Sequence, residues 1–158
     1  MKHSTLLIFT CLIALFSLKA NAGVAETVFE LPDDLGTATL YSSQTPDENK
    51  PAIIVVHEWW GLNDYVKGRA KMLAEEGYTA IAVDMYGHGK VAEHPNDAKG
   101  FMDAALENPG KMNARFNAAK DILKAQEHVN SERLYAMGYC FGGAVVLNQA
   151  RMGNDLAG

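Results

Sequence analysis

Apolar positions along this chain follow two periods by turns, and the turns alternate. Residues 25–31 and 37–43 read as two short strands, joined antiparallel through Pro32-Asp33-Asp34-Leu35-Gly36, and residues 43–50 as a polar loop. Residues 52–57 are an unbroken apolar run rich in β-branched side chains, the pattern of a strand buried on both faces. A helix follows, capped by Asp64 and ending at Glu76, with Val66, Ala70, Leu73 and Ala74 at helical spacing and Gly77 as its stop. Residues 78–84 give the next buried strand, and 85–95 a loop containing glycine and histidine. A helix starting at Asn96 or Asp97 runs to Glu107, Asn108-Pro109-Gly110 breaks it, and residues 113–129 form a further amphipathic helix carrying Phe116, Ala119, Ile122 and Leu123. A strand over 134–139 and a helix over 144–151 complete the pattern. Strands alternating with helices predict an α/β protein, a mostly parallel sheet covered by helices on both faces in three layers. No internal repeat and no linker interrupts residues 23–158, which read as one domain.

Residues 1–22 stand apart. Lys2 supplies a positive start, residues 6–18 an apolar run too short to span a bilayer, and Ala20-Asn21-Ala22 a small-x-small cleavage site. The segment is expected to be a signal peptide cleaved after Ala22, placing the rest in the periplasm or medium, with an uncleaved amphipathic anchor as the alternative. The composition, 48% hydrophobic and 21% charged, is that of a globular protein and gives no sign of disorder. The formal charge is −5, and losing Lys2 and Lys19 makes the remainder two units more negative. Such an acidic body argues against nucleic acid or anionic lipid as a partner, and no membrane contact is expected after cleavage. Cleavage also removes Cys11, leaving Cys140 alone. A lone thiol in an oxidising compartment has no internal partner and is either buried and inert or reactive.

Its surroundings favour reactivity. Gly138-Tyr139-Cys140-Phe141-Gly142-Gly143 joins an apolar strand to an apolar helix with the thiol at the corner, the layout of a nucleophile elbow. Such a turn needs flanking residues without a Cβ, and it leaves the N–H groups of Phe141 and Gly142 unpaired at a helix start, where they can bind an anion. Glu58 directly follows the buried strand, so its carboxylate is expected at the carboxyl edge of the sheet near Cys140. A thiol is mostly protonated at neutral pH unless a base or dipole helps; the helix starting at Phe141 offers the dipole, and Glu58 an acceptor for the proton. Glu58 also reads as a solvated loop acid or the partner of an arginine.

Three motifs occur together and in order: Val56-His57-Glu58-Trp59-Trp60-Gly61-Leu62-Asn63, Ala82-Val83-Asp84-Met85-Tyr86-Gly87 and the glycine-flanked cysteine corner. In this the chain resembles the dienelactone hydrolase family of α/β-hydrolases, over essentially all of residues 23–158. The resemblance implies an α/β-hydrolase fold and a hydrolase acting on a small-molecule ester or lactone through Cys140, without a cofactor. It further implies that Glu58 holds or receives the thiol proton and that the N–H groups of Phe141 and Trp59 form the oxyanion hole. Trp60 is expected as pocket wall and His88 as a pocket-lining residue for substrate, although Trp59 and Trp60 also read as core packing. Prototype members carry an arginine near the place of His88 to hold a substrate carboxylate. Here Gly87-His88-Gly89-Lys90 departs from that, so the substrate stays open.

His57, ending a buried strand, reads as a hydrogen-bonded structural residue, and no two of His57, His88, His94 and His128 have the spacing of a metal site. In the family the acid and base of the triad come after the elbow. Here Asp155 is the one later acid and no histidine follows, so the expectation is a chain truncated at its C-terminus, its last strand left as an exposed apolar edge. The alternative is a non-catalytic α/β-hydrolase-like binding module or an inactive fragment, since a nucleophile without its base loses most of its rate. An amidotransferase-like α/β protein, which also places a cysteine on such a corner, fits the motifs less well. Oligomeric state is not legible.

Overall fold

A computed structural model describes residues 23–44 and 48–158, so the segment read as a signal peptide lies outside the described residues. Five strands, β1 (Val24–Leu31), β2 (Gly36–Ser43), β3 (Lys50–Val56), β4 (Thr79–Val83) and β5 (Val129–Gly138), form one sheet in the order β1-β2-β4-β3-β5. The first two pair antiparallel, as their short connection requires, and β2 pairs antiparallel with β4. From β4 through β3 to β5 the sheet is parallel. The helices are α1 (Asp64–Glu75), α2 (Pro95–Leu106), α3 (Pro109–Lys124) and α4 (Phe141–Arg151).

Alternation along the central strands divides the core in two. Ala52, Ile54, Val56, Ile81 and Val83 point to the face covered by α3 and α4, where Phe116, Leu123, Phe141 and Val145 are buried against them. Ile53, Val55, Ala80 and Ala82 point the other way, onto Val66, Ala70 and Ala74 of α1. Because β3 and β4 are covered on both faces, residues 52–56 and 80–83 read as continuous apolar runs, with polar Lys50 and Thr79 only at the strand starts.

Several boundaries differ from the expected ones, each for a local reason. Asn63, and not Asp64, caps α1: its side-chain oxygen accepts the N–H of Val66 at 3.2 Å. Pro95 and Pro109 open α2 and α3, so both helices start earlier than the polar residues after them suggested. α3 stops at Lys124, short of the expected end at residue 129, and residues 129–133 are instead the largely exposed start of β5, where Val129 pairs with Lys50. Ala157 donates its N–H to Leu134 and Ala136 donates to Gly158, so the final residues run along the outer side of β5, which the sequence suggested was bare. No helix of the described residues is long and apolar enough to cross a membrane.

The cap assignment is testable. Asn63→Ala is expected to cost about 1 kcal/mol in a urea titration. Asp64→Ala, which removes only an acidic side chain in the first turn, should cost about half of that or less.

Candidate active site

β3 and β5 are neighbours, and their last parallel rung sets Val56 opposite Gly138. Both chains leave the sheet there, so Glu58 and Cys140 each stand two residues beyond the same rung, at the carboxyl edge where open α/β sheets hold their ligands. Cys140 is exposed, a free thiol, and adopts φ 53° and ψ −116°, a backbone state that side chains other than glycine rarely take. The turn is forced by close approach. A Cβ on Gly142 would lie 2.5 Å from the carbonyl oxygen of Val56 and 2.6 Å from that of His57, and one on Gly138 would run into the backbone of Gly142. Only glycines let the first turn of α4 sit directly on the end of β3.

That packing decides which N–H groups are free. Gly142 donates to the carbonyl of Tyr139 at 2.9 Å, which corrects the expectation that its N–H is unpaired. The N–H groups of Phe141 and Trp59 have no hydrogen-bond partner among the described residues. They belong to the two segments that flank the shared rung.

Behind the edge lies a buried polar cluster. His57 is fully buried: its Nδ1 lies 2.5 Å from the carbonyl oxygen of Glu58, and its Nε2 accepts the N–H of Met85 at 3.0 Å. Accepting at Nε2 places the proton on Nδ1, where it is donated to Glu58, so the ring is neutral and ties the Glu58 backbone to the 84–90 loop. Burial lowers its pKa, outweighing the hydrogen bond from Nδ1 and the charge of Asp84, which act to raise it. Asp84, also fully buried, accepts N–H bonds from Tyr86, Gly87 and Gly89, each at 2.9 Å, and so shapes that loop. Tyr86 packs on His57, Phe141 and Phe101 and donates its hydroxyl to the carbonyl of Trp59 at 3.0 Å. Burial, then the charges of Cys140 and Asp84, push its phenol above the ordinary range.

Of the other expected site residues, Glu58 and Trp59 are partly buried, and Trp60 packs edge-on against Trp59 with ring centres 5.2 Å apart. His88 is exposed, in a left-handed backbone conformation, with Nε2 3.8 Å from an Asp34 oxygen; it lines a cavity with Phe101 and Lys90 that Cys140 does not reach. No group of three or more His, Cys, Asp or Glu able to hold a metal occurs among the described residues. Arg115 escaped the sequence reading. It donates from Nε to Leu35 and from Nη1 to Met85, both at 2.7 Å, while 6% exposed. A signal existed, because Met112, Arg115, Phe116 and Ala119 fall on one helical stripe that is otherwise apolar.

A model of the dienelactone hydrolase family matches residues 37–158. The protein usf of Aquifex pyrophilus is 36% identical over 116 residues, covering 71% of this chain and 50% of that one. Among solved structures, m3DLH superposes with a TM-score of 0.77 at 31% identity, over 85% of this chain and 57% of that one. A dienelactone hydrolase-like promiscuous phosphotriesterase from metagenomic libraries gives 0.76 at 29% identity, over 85% and 56%. The mixed sheet with its helices is therefore the α/β-hydrolase fold of these neighbours. The chain spans about half the length of the curated relatives it matches.

The buried imidazole makes stability depend on pH. Below the ordinary imidazole pKa of about 6.5, the unfolded chain takes up a proton that folded His57 refuses. Its contribution is thus complete above that pH and is lost as pH falls toward the folded value. Calorimetric melting is expected to show Tm declining from about pH 7 to about pH 5, with a shallower decline in His57→Gln. His128, lowered by burial and by Lys50, acts in the same direction, so some slope persists in that variant.

Proposed function

The chain belongs to the dienelactone hydrolase family, and we propose that its protein opens small-molecule esters or lactones by attack of the Cys140 thiolate. The observation that carries this reading is the exposed cysteine held at positive φ on a glycine-flanked corner, level with Glu58 on the neighbouring strand. A strained, presented thiol with an acid at the next strand end is the arrangement nucleophilic acyl transfer needs.

In this mechanism Glu58 takes the thiol proton as substrate arrives. The sulfur then bonds to the substrate carbonyl carbon, and the carbonyl π pair moves onto oxygen. The N–H groups of Phe141 and Trp59 receive that oxyanion; their lack of other partners supports the assignment. Collapse of the tetrahedral species expels the alcohol oxygen, which takes up a proton, and leaves a thioester on Cys140. Water attacks the thioester, releasing the acid and regenerating the thiol. Trp60 lines the substrate side, whereas His88 faces the cavity beside α2 and α3, and no cofactor enters any step. The protein acts outside the cytoplasm, residues 1–22 being removed on export.

Hydrolysis of p-nitrophenyl acetate and dihydrocoumarin tests the chemistry, and a phosphotriester belongs in the panel because one structural neighbour is described as a promiscuous phosphotriesterase. Cys140→Ala should lower kcat/KM by about a thousandfold or more, and Glu58→Gln by about ten- to a hundredfold. An unchanged rate in Cys140→Ala would sink the mechanism. Export is read separately: the mature protein should begin at Gly23 by intact mass, and an N-terminus at Met1 in the exported fraction would refute cleavage.

A further inference from the structure

A cavity of about 230 Å³ lies beside the 84–90 loop, between that loop and the helices α2 and α3. One wall is apolar, made by Phe101, Ala104 and Ala105, with the ring of Tyr86 beside them. The other is cationic: Lys90, Lys111 and Arg115 line it, and no carboxylate does. In a chain with a formal charge of −5, three cations around one cavity without an acid run against the background. Lys90 and Lys111 form no ion pair among the described residues, and the Lys90 ammonium stands 5.8 Å from the centre of the Phe101 ring. Arg115 is the strongest sign. Its Nε and Nη1 are spent on the carbonyls of Leu35 and Met85, whereas Nη2 has no hydrogen-bond partner among the described residues. Asp84 uses its oxygens on the N–H groups of its own loop and makes no ion pair with Arg115. No buried side-chain nitrogen among the described residues lacks a partner, so this Nη2 opens to the cavity, where an anion can pair with it alongside the longer-range charge of Asp84.

We propose that this cavity binds a small organic carboxylate, its head on Arg115, Lys111 and Lys90 and its short apolar body against Phe101 and the two alanines. At about 30 Å³ for each displaced water, the space suits an acid of roughly four to six carbons. The site is separate from the thiol, since neither Cys140 nor Glu58 lines it, and its occupancy is independent of hydrolysis.

Butyrate titrated into the chain carrying ¹³C-methyl alanine tests this. The signals of Ala104 and Ala105 should shift saturably with butyrate and not with neutral butyramide. Lys111→Gln and Lys90→Gln, both at exposed positions, should each weaken binding about fivefold, and rising salt should weaken it further. Cys140→Ala should bind as the parent does. Arg115→Gln also removes the ties to Leu35 and Met85, so the lysine variants carry the test. Absence of a saturable shift overturns the proposal, as does unchanged affinity in both lysine variants. Equal affinity for inorganic phosphate and butyrate overturns it too, because the apolar wall would then select nothing.

Discussion

The contact between the first turn of α4 and the end of β3 is the constraint on which the site depends. Gly142 sits so close to the carbonyls of Val56 and His57 that no side chain fits between them. Once that approach is made, the chain has only Tyr139 and Cys140 in which to turn from the direction of β5 to that of α4, and Cys140 takes the turn at positive φ. The strain, on the order of 1–3 kcal/mol for such a residue, is offset by apolar burial in the adjoining helix, where Phe141 and Val145 pack against the parallel strands. The thiol is exposed for the same reason that Phe141 is buried.

The edge of the sheet is stiffened from behind by polar groups that the core would ordinarily exclude. His57, Asp84 and Arg115 are each buried, and each spends its hydrogen bonds on backbone groups of the segments that leave the sheet. His57 joins the Glu58 carbonyl to the N–H of Met85, which ties the exit of β3 to the exit of β4. Asp84 then draws three N–H groups of its loop onto one carboxylate. Among the described residues no buried side-chain nitrogen or oxygen lacks a partner, so this network is satisfied where a partial one would be costly. Loops held this way present backbone donors in fixed positions, which is what oxyanion stabilisation demands.

How much of this was legible in the sequence depended on the range of the interaction. β3 and β4 are covered on both faces, so their apolar runs could be read directly, and the glycines around Cys140 announced a sharp corner. Helix starts were misread where proline or an asparagine cap opens ahead of the polar residue favoured from the sequence, as at Asn63, Pro95 and Pro109. The first half of β5 was hidden because residues 131–133 are exposed and polar and lie in the irregular stretch between the Val129 and Leu134 rungs. The motifs yielded Cys140, Glu58 and the N–H groups around them. Arg115 did not emerge, since its partners, Leu35 and Met85, lie 80 and 30 residues away and contribute carbonyls, which leave no trace in a sequence.

Tyr86 belongs to both the thiol edge and the cationic cavity. Its ring lies 4.7 Å from that of His57, 5.5 Å from Phe141 and 5.9 Å from Phe101, while its hydroxyl holds the carbonyl of Trp59. The segments carrying both free N–H groups are therefore packed on a ring whose far side is cavity wall. Packed aromatic groups have few alternative arrangements, so displacing Phe101 must either be absorbed by the cavity or be passed on to the edge of the sheet. The empty volume on the Phe101 side and the full packing around His57 favour absorption. The fold thus places its adaptable space against α2 and α3 and keeps the corner that holds the thiol rigid.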